Sequence, residues 1–80
     1  MRLRPSPLRA RRLLRGLRLR DVQAATGVCA VTLSAIERGE YPLRGRALHA
    51  LAHYYATPAD ALYREHERWV AAHPAEVEAP

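Results

Sequence analysis

Two glycines, Gly27 and Gly39, bracket the stretch that most constrains this chain. Between them Val28, Leu33 and Ile36 recur at helical spacing, and before Gly27 the residues Val22, Ala25 and Thr26 form a small-residue face. Glycine at each end supplies the positive-φ residue on which helices commonly stop, free of the Cβ clash that other residues meet there. Residues 17–39 therefore read as two helices of about two turns each, hinged at Gly27.

Charge says what such a pair could face. The chain has 80 residues, one small domain of a size that gains much from a partner subunit. All 13 basic residues are arginine, and the net charge is +5. Residues 1–40 hold nine arginines against Asp21, Glu37 and Glu40, whereas residues 41–80 hold four against five acids. The basic half is thus the half with the hinged helices, and arginine suits phosphate, so a polyanion is the expected partner.

Other classes are poorly served. The single cysteine, Cys29, excludes an internal disulfide and a thiolate zinc cluster. Arginines interrupt the early leucines every two or three residues, so neither a secretory apolar core nor a membrane span is expected. The same acid-free run has the look of an organellar transit peptide, but Leu8 to Gly16 is needed as a helix of the domain. There is no Gly-rich phosphate loop and no Ser-His-Asp spacing, and Glu65 and Glu67 fall on different faces of one helix. His49 and His53 could share a metal at their four-residue spacing, but no third ligand matches them. The expectation is a non-enzyme with no cofactor and no metal.

Met1 to Pro5 reads as a basic arm with Arg2 and Arg4, either a solvated terminus or an arm that follows phosphates or enters a minor groove. Ser6 and Pro7 start the first helix, which runs to about Arg15 with Leu8 and the Leu13-Leu14 pair as its buried side. The second helix begins near Leu19 with a weak cap at Arg18 and a favourable acid at Asp21. The third runs from Ala30 to Arg38 with Cys29 at its N-cap, where the thiol is either a small apolar filler or a redox-sensitive group, the burial of the sulfur deciding. Leu48, Leu51, Ala52 and Tyr55 stripe a fourth helix, weakened at its start by Gly45. Thr57 as N-cap and Pro58 at the first position open a fifth, which can continue through Tyr63, His66, Trp69 and Val70 until Pro74. The expected organisation is an arm (1–5), a domain (6–63), a helical extension (64–73) and an acidic tail (74–80), without repeats or long linkers.

The words Gly16-Leu17, Ala25-Thr26-Gly27-Val28, Thr32-Leu33-Ser34, Ile36-Glu37-Arg38-Gly39 and Asp60-Ala61-Leu62 resemble the phage-repressor and Cro-type (XRE-like) helix-turn-helix family over Leu8 to Tyr63. The resemblance implies an all-α, compact five-helix lambda-repressor-like domain with an extended C-terminal helix, its third helix in a DNA major groove. It implies an ion pair between Arg12 and Glu37, and phosphate contacts from Arg12, Arg18, Arg20, Arg38, Tyr41, Arg44 and Arg46. The base-reading positions it implies are Ala30, Val31, Thr32, Ser34 and Ala35. None of these can make a bidentate contact, so selectivity should rest on thymine methyl contacts, single hydrogen bonds and DNA shape. This chain departs from the pattern at Arg11, where an apolar residue is usual, and at Arg18-Leu19, where Ser or Thr and then Gln are usual.

The function these features imply is a sequence-specific, repressor-like transcriptional regulator. It would bind double-stranded DNA as a homodimer in the cytoplasm, associated with the nucleoid, with His66, Trp69 and Val70 as the dimer contact. That apolar stripe could instead be a flap over its own domain. The alternative function is a protein-interaction module of the same fold, antitoxin-like or a polymerase-binding adaptor, with little or no DNA binding.

Overall fold

Ser6 and Pro7 open the first helix, α1 (Pro7–Leu14): Ser6 is extended and buried, and its hydroxyl oxygen accepts the Arg9 N–H at 3.3 Å. The computed structural model describes residues 4–72, so Arg2 and the expected tail 74–80 lie outside the described residues. Four further helices follow, α2 (Leu19–Thr26), α3 (Ala30–Glu37), α4 (Gly45–Tyr54) and α5 (Ala59–Ala72), with no strand among the described residues. The fold is all-α. α5 runs unbroken past residue 63, so residues 64–72 continue the domain's last helix.

The core forms where the five helices turn their apolar stripes together. Leu33 and Ile36 of α3 are buried with Leu8, Val22, Leu51 and Leu62 from the other four helices, and Leu43 from the α3–α4 loop and Tyr55 just after α4 join them. Two sequence expectations fail here. Leu13 and Leu14 are not the buried side of α1; they are 50% and 86% exposed. A 3.6-residue period starting at Leu8 returns at residues 11–12 and 15, and those positions are arginines. Ala25 is likewise exposed, and α2 meets the core through Val22 and Leu19.

Arg11 and Arg12 turn inward and are each satisfied, while Arg15 stays exposed. Arg12 and Glu37 are both buried and joined by two parallel bonds, Nε to Oε2 at 2.8 Å and Nη2 to Oε1 at 2.9 Å. The remaining Arg12 nitrogen donates to the Leu17 carbonyl at 2.9 Å, so one guanidinium ties α1 to α3 and to the turn before α2. Arg11 keeps its stem half-buried and pairs with Glu65 of α5 at 2.9 Å, which explains how a charge replaces an apolar residue there. Arg15 lies over the Tyr55 ring, 5.1 Å from its centroid.

Helix ends follow from local chemistry. α3 ends in a left-handed residue, Gly39, whose N–H and that of Glu40 satisfy the carbonyls of Ile36 and Ala35. α4 ends the same way on Ala56, at φ 52°, with its N–H on the His53 carbonyl and that of Thr57 on the Ala52 carbonyl. Thr57 is therefore not the N-cap expected of α5. Its hydroxyl donates to the Tyr55 carbonyl at 3.1 Å, and Pro58 supplies the carbonyl that accepts the first helical bond, from Leu62.

Two stability measurements check this account. Glu37→Ala strands a buried guanidinium and should cost about 3–5 kcal/mol in urea unfolding, whereas the double change Arg12→Met with Glu37→Leu should recover most of that loss. Ala56→Gly removes an L-residue from the left-handed region and should add about 0.5–1 kcal/mol, raising the thermal midpoint by roughly 4 °C. No gain would mean that Ala56 is not held at positive φ in solution.

Candidate nucleic-acid interface

The hinge between α2 and α3 is closed by Thr26 and Gly27. The Thr26 hydroxyl donates to the Val22 carbonyl at 2.7 Å and accepts the Val28 N–H at 3.1 Å, while Gly27 takes φ 82°. Cys29 stands at the N-cap of α3 but its side chain makes no capping bond, and the residue is exposed, which argues against the apolar-filler reading of its thiol. The acceptor comes from α2 instead: Gln23 Oε1 takes the Ala30 N–H at 2.6 Å. Reading the sequence missed Gln23. The signal was the absence of a good capping residue at position 29, which leaves an orphan donor to satisfy.

α3 turns Leu33, Ile36 and Glu37 inward and Val31 outward, 77% exposed. Ala30, Thr32, Ser34 and Ala35 are half-buried on its flanks, and the Ser34 hydroxyl is engaged by the Arg38 guanidinium. The surface offered by α3 is thus a valine edged by small residues.

The arginines around it divide into occupied and free. Arg12 is a correction to the expected phosphate set, because its guanidinium is buried and each of its three nitrogens already donates, two to Glu37 and one to the Leu17 carbonyl. Arg38 is held by Ser34 and by Glu40 at 2.9 Å, and this pairing keeps the Glu40 carboxyl below its ordinary range. Arg18 caps α2 in reverse: its backbone N–H donates to Asp21 Oδ2 at 2.8 Å, and its exposed guanidinium sits 3.6 Å from the same carboxylate. That backbone bond, with the charges of Arg18 and Arg20 behind it, depresses the Asp21 carboxyl. Arg20, Arg44 and Arg46 are exposed, with no carboxylate partner among the described residues. An open cleft between the α2–α3 turn and the start of α4 brings Thr26 and Thr32 together with Tyr41, Arg44 and Arg46. Two uncompensated guanidiniums, a phenol and a threonine hydroxyl in one cleft suit an anion.

The outer part of α5 is folded onto its own domain. His66 is buried and stacks against Trp69 at 6.1 Å between centroids, so it is not available as a dimer contact. An apolar stripe at helical spacing reads alike for self-packing and for dimerisation, which is why the sequence left both open. Trp69 and Val70 are half-buried against the end of α3: a Cβ on Gly39 would lie 3.2 Å from a Trp69 ring carbon and 3.6 Å from a Val70 methyl. The Trp69 indole N–H donates to the Arg4 carbonyl at 3.0 Å, so the described end of the basic arm is fastened to α5. His49 and His53 are exposed on α4, and among the described residues no group of three metal-ligating side chains forms. No helix among the described residues is long and apolar enough to cross a membrane.

A family model described as a helix-turn-helix domain matches residues 7–65. No curated protein and no solved structure matches the chain significantly. The match stops one residue short of His66, whose environment gives a pH test. Burial lowers the His66 pKa, with Glu67 opposing weakly, and its Nδ1 is buried with no hydrogen-bond partner among the described residues. The unfolded chain, with a histidine near the ordinary 6.5, then binds the proton more readily than the folded one. Stability is full above about pH 6.5 and falls as the pH drops toward the depressed folded value. Urea midpoints should therefore fall between about pH 7.5 and about pH 5, and His66→Phe should flatten that dependence. An equal slope in the variant would show that His66 is not what titrates.

Proposed function

This chain belongs to the helix-turn-helix domain family, and on that footing we propose that it is a transcriptional regulator that binds double-stranded DNA sequence-specifically as a repressor. α3 enters the major groove with Val31 foremost, and Ala30, Thr32, Ser34 and Ala35 border the contact. Arg18, Arg20, Arg44, Arg46 and Tyr41 take the flanking phosphates, with Arg38 joining them if DNA displaces its Glu40 partner. The observation that carries this reading is the cleft that joins Thr32 of α3 to Tyr41, Arg44 and Arg46. An apolar helix edge beside unpaired guanidiniums fits a groove floor between charged walls.

The working form is a homodimer, because a single short reading helix covers only a half-site and paired half-sites bring the affinity such proteins need. With His66 internal, the half-buried Trp69 and Val70 remain of the expected dimer contact. The place of action is the compartment that holds the DNA, and the activity is binding rather than catalysis. Val31 is the observation favouring the second reading, a protein-interaction module, since an exposed apolar side chain on α3 would also suit a partner protein.

Duplex binding across a salt series decides between them. Log K should fall steeply with log salt, by about 0.9 per phosphate neutralised, and Arg44→Ala and Arg46→Ala should each weaken all sequences alike and lower the slope by about one. Val31→Ala should alter preference at one base pair. Failure to bind duplex DNA at low salt, with a protein partner retained, would replace the first reading by the second.

A further inference from the structure

Gln23 is the polar side chain that the contacts above leave half used. Its Oε1 accepts the Ala30 N–H at 2.6 Å across the α2–α3 hinge. A backbone N–H can only donate, so the carboxamide must present its oxygen there, which fixes the amide's orientation and turns Nε2 away. Gln23 is exposed, and among the described residues Nε2 donates to no acceptor. Two donors are thus held at the N-terminus of α3. They sit one helical step along α2 from the exposed, unpaired Arg20. In a helix-turn-helix the first helix of the pair crosses the DNA backbone, so donors on α2 meet phosphate before they meet bases.

We propose that Gln23 is a positioning residue for DNA, one carboxamide that caps α3 through its oxygen and donates its NH₂ to a backbone phosphate oxygen. This rests on the DNA-binding reading above. The bond couples the register of α3 on the duplex to the hydrogen bond that fixes where α3 begins. Being neutral, Gln23 releases no counterion, so it should strengthen binding without steepening its salt dependence, unlike the arginines.

Two variants separate its two roles. Gln23→Glu keeps an oxygen for the Ala30 N–H, with a charge that favours a helix N-terminus, but loses both donors. Gln23→Ala loses oxygen and donors together. Binding to a short mixed-sequence duplex at low salt, well below each thermal midpoint, should weaken about tenfold or more in both. The midpoint should fall only in Gln23→Ala, whose salt slope should match that of the wild type. On an operator selected from a random pool, phosphate-ethylation interference should lose the same single phosphate in both variants. Gln23→Ala binding within about twofold of wild type, or an unchanged interference pattern, overturns the proposal. So does weakening confined to duplexes that differ at one base pair, which would make Gln23 a base reader. If the wild type itself binds no duplex, both this proposal and the DNA-binding reading fall; if it binds and Gln23→Ala binds equally, only this proposal does.

Discussion

The orientation of α3 depends on one buried ion pair. Arg12 and Glu37 meet through two parallel bonds, and a third bond runs from Arg12 to the Leu17 carbonyl, so α1, the approach to α2, and α3 are fixed to one guanidinium. A hydrophobic pair of the same volume would serve stability about as well, because desolvation cancels most of the attraction. Apolar packing, however, is non-directional, and helices only eight residues long have few side chains with which to specify rotation about their own axes. A planar fork on a planar carboxylate is directional, and it holds the rotation that keeps Leu33 and Ile36 inside and Val31 outside.

That device also explains which parts of the fold were legible. The helix ends up to Gly39 could be read, because they are written in local residues: Ser6 with Pro7, then Gly16, Gly27 and Gly39. On the inner face of α1, Leu8 and the Arg12–Glu37 pair could be read, the pair through the family resemblance, but Arg11 could not, because its partner Glu65 lies 54 residues away. Hydrophobicity pointed to Leu13 and Leu14, which are the residues that face out. For the same reason the role of His66 stayed open between self-packing and a dimer contact, and the Gln23 cap failed to show. One depends on a neighbour that stacks on it and the other on a donor seven residues on, and neither is visible in residue type alone. The Ala56 turn shows the converse limit: hydrogen bonds at both carbonyls of the last turn held a left-handed residue where no glycine announced it.

Net charge proved a coarse guide to the candidate interface. Arg11, Arg12 and Arg38 are spent within the molecule on Glu65, Glu37 and Glu40, so the basic half of the sequence is less basic at its surface than its composition suggests. Among the described residues, the exposed arginines without a carboxylate partner include Arg20 on α2 and Arg44 with Arg46 at the start of α4, on either side of the hinge, together with Arg4, Arg9, Arg15 and Arg68 elsewhere on the surface.

On the DNA-binding reading proposed above, a helix that offers a valine and small residues cannot draw much discrimination from hydrogen bonds to bases. Its small profile has a different consequence: the backbone of α3 can lie close to the groove floor, and the flanking donors then sit near the phosphates on both sides. Affinity in such an arrangement comes from the cations and so depends on salt, while selectivity comes from whether the groove is wide enough and its thymine methyls suitably placed. Under that division of labour small errors in the position of α3 are costly, since no bidentate contact pulls the helix back into register. On that reading the buried Arg12–Glu37 pair at one end of α3 and the Gln23 cap at the other are parts of one solution, in which rigidity of the scaffold substitutes for specificity in the side chains.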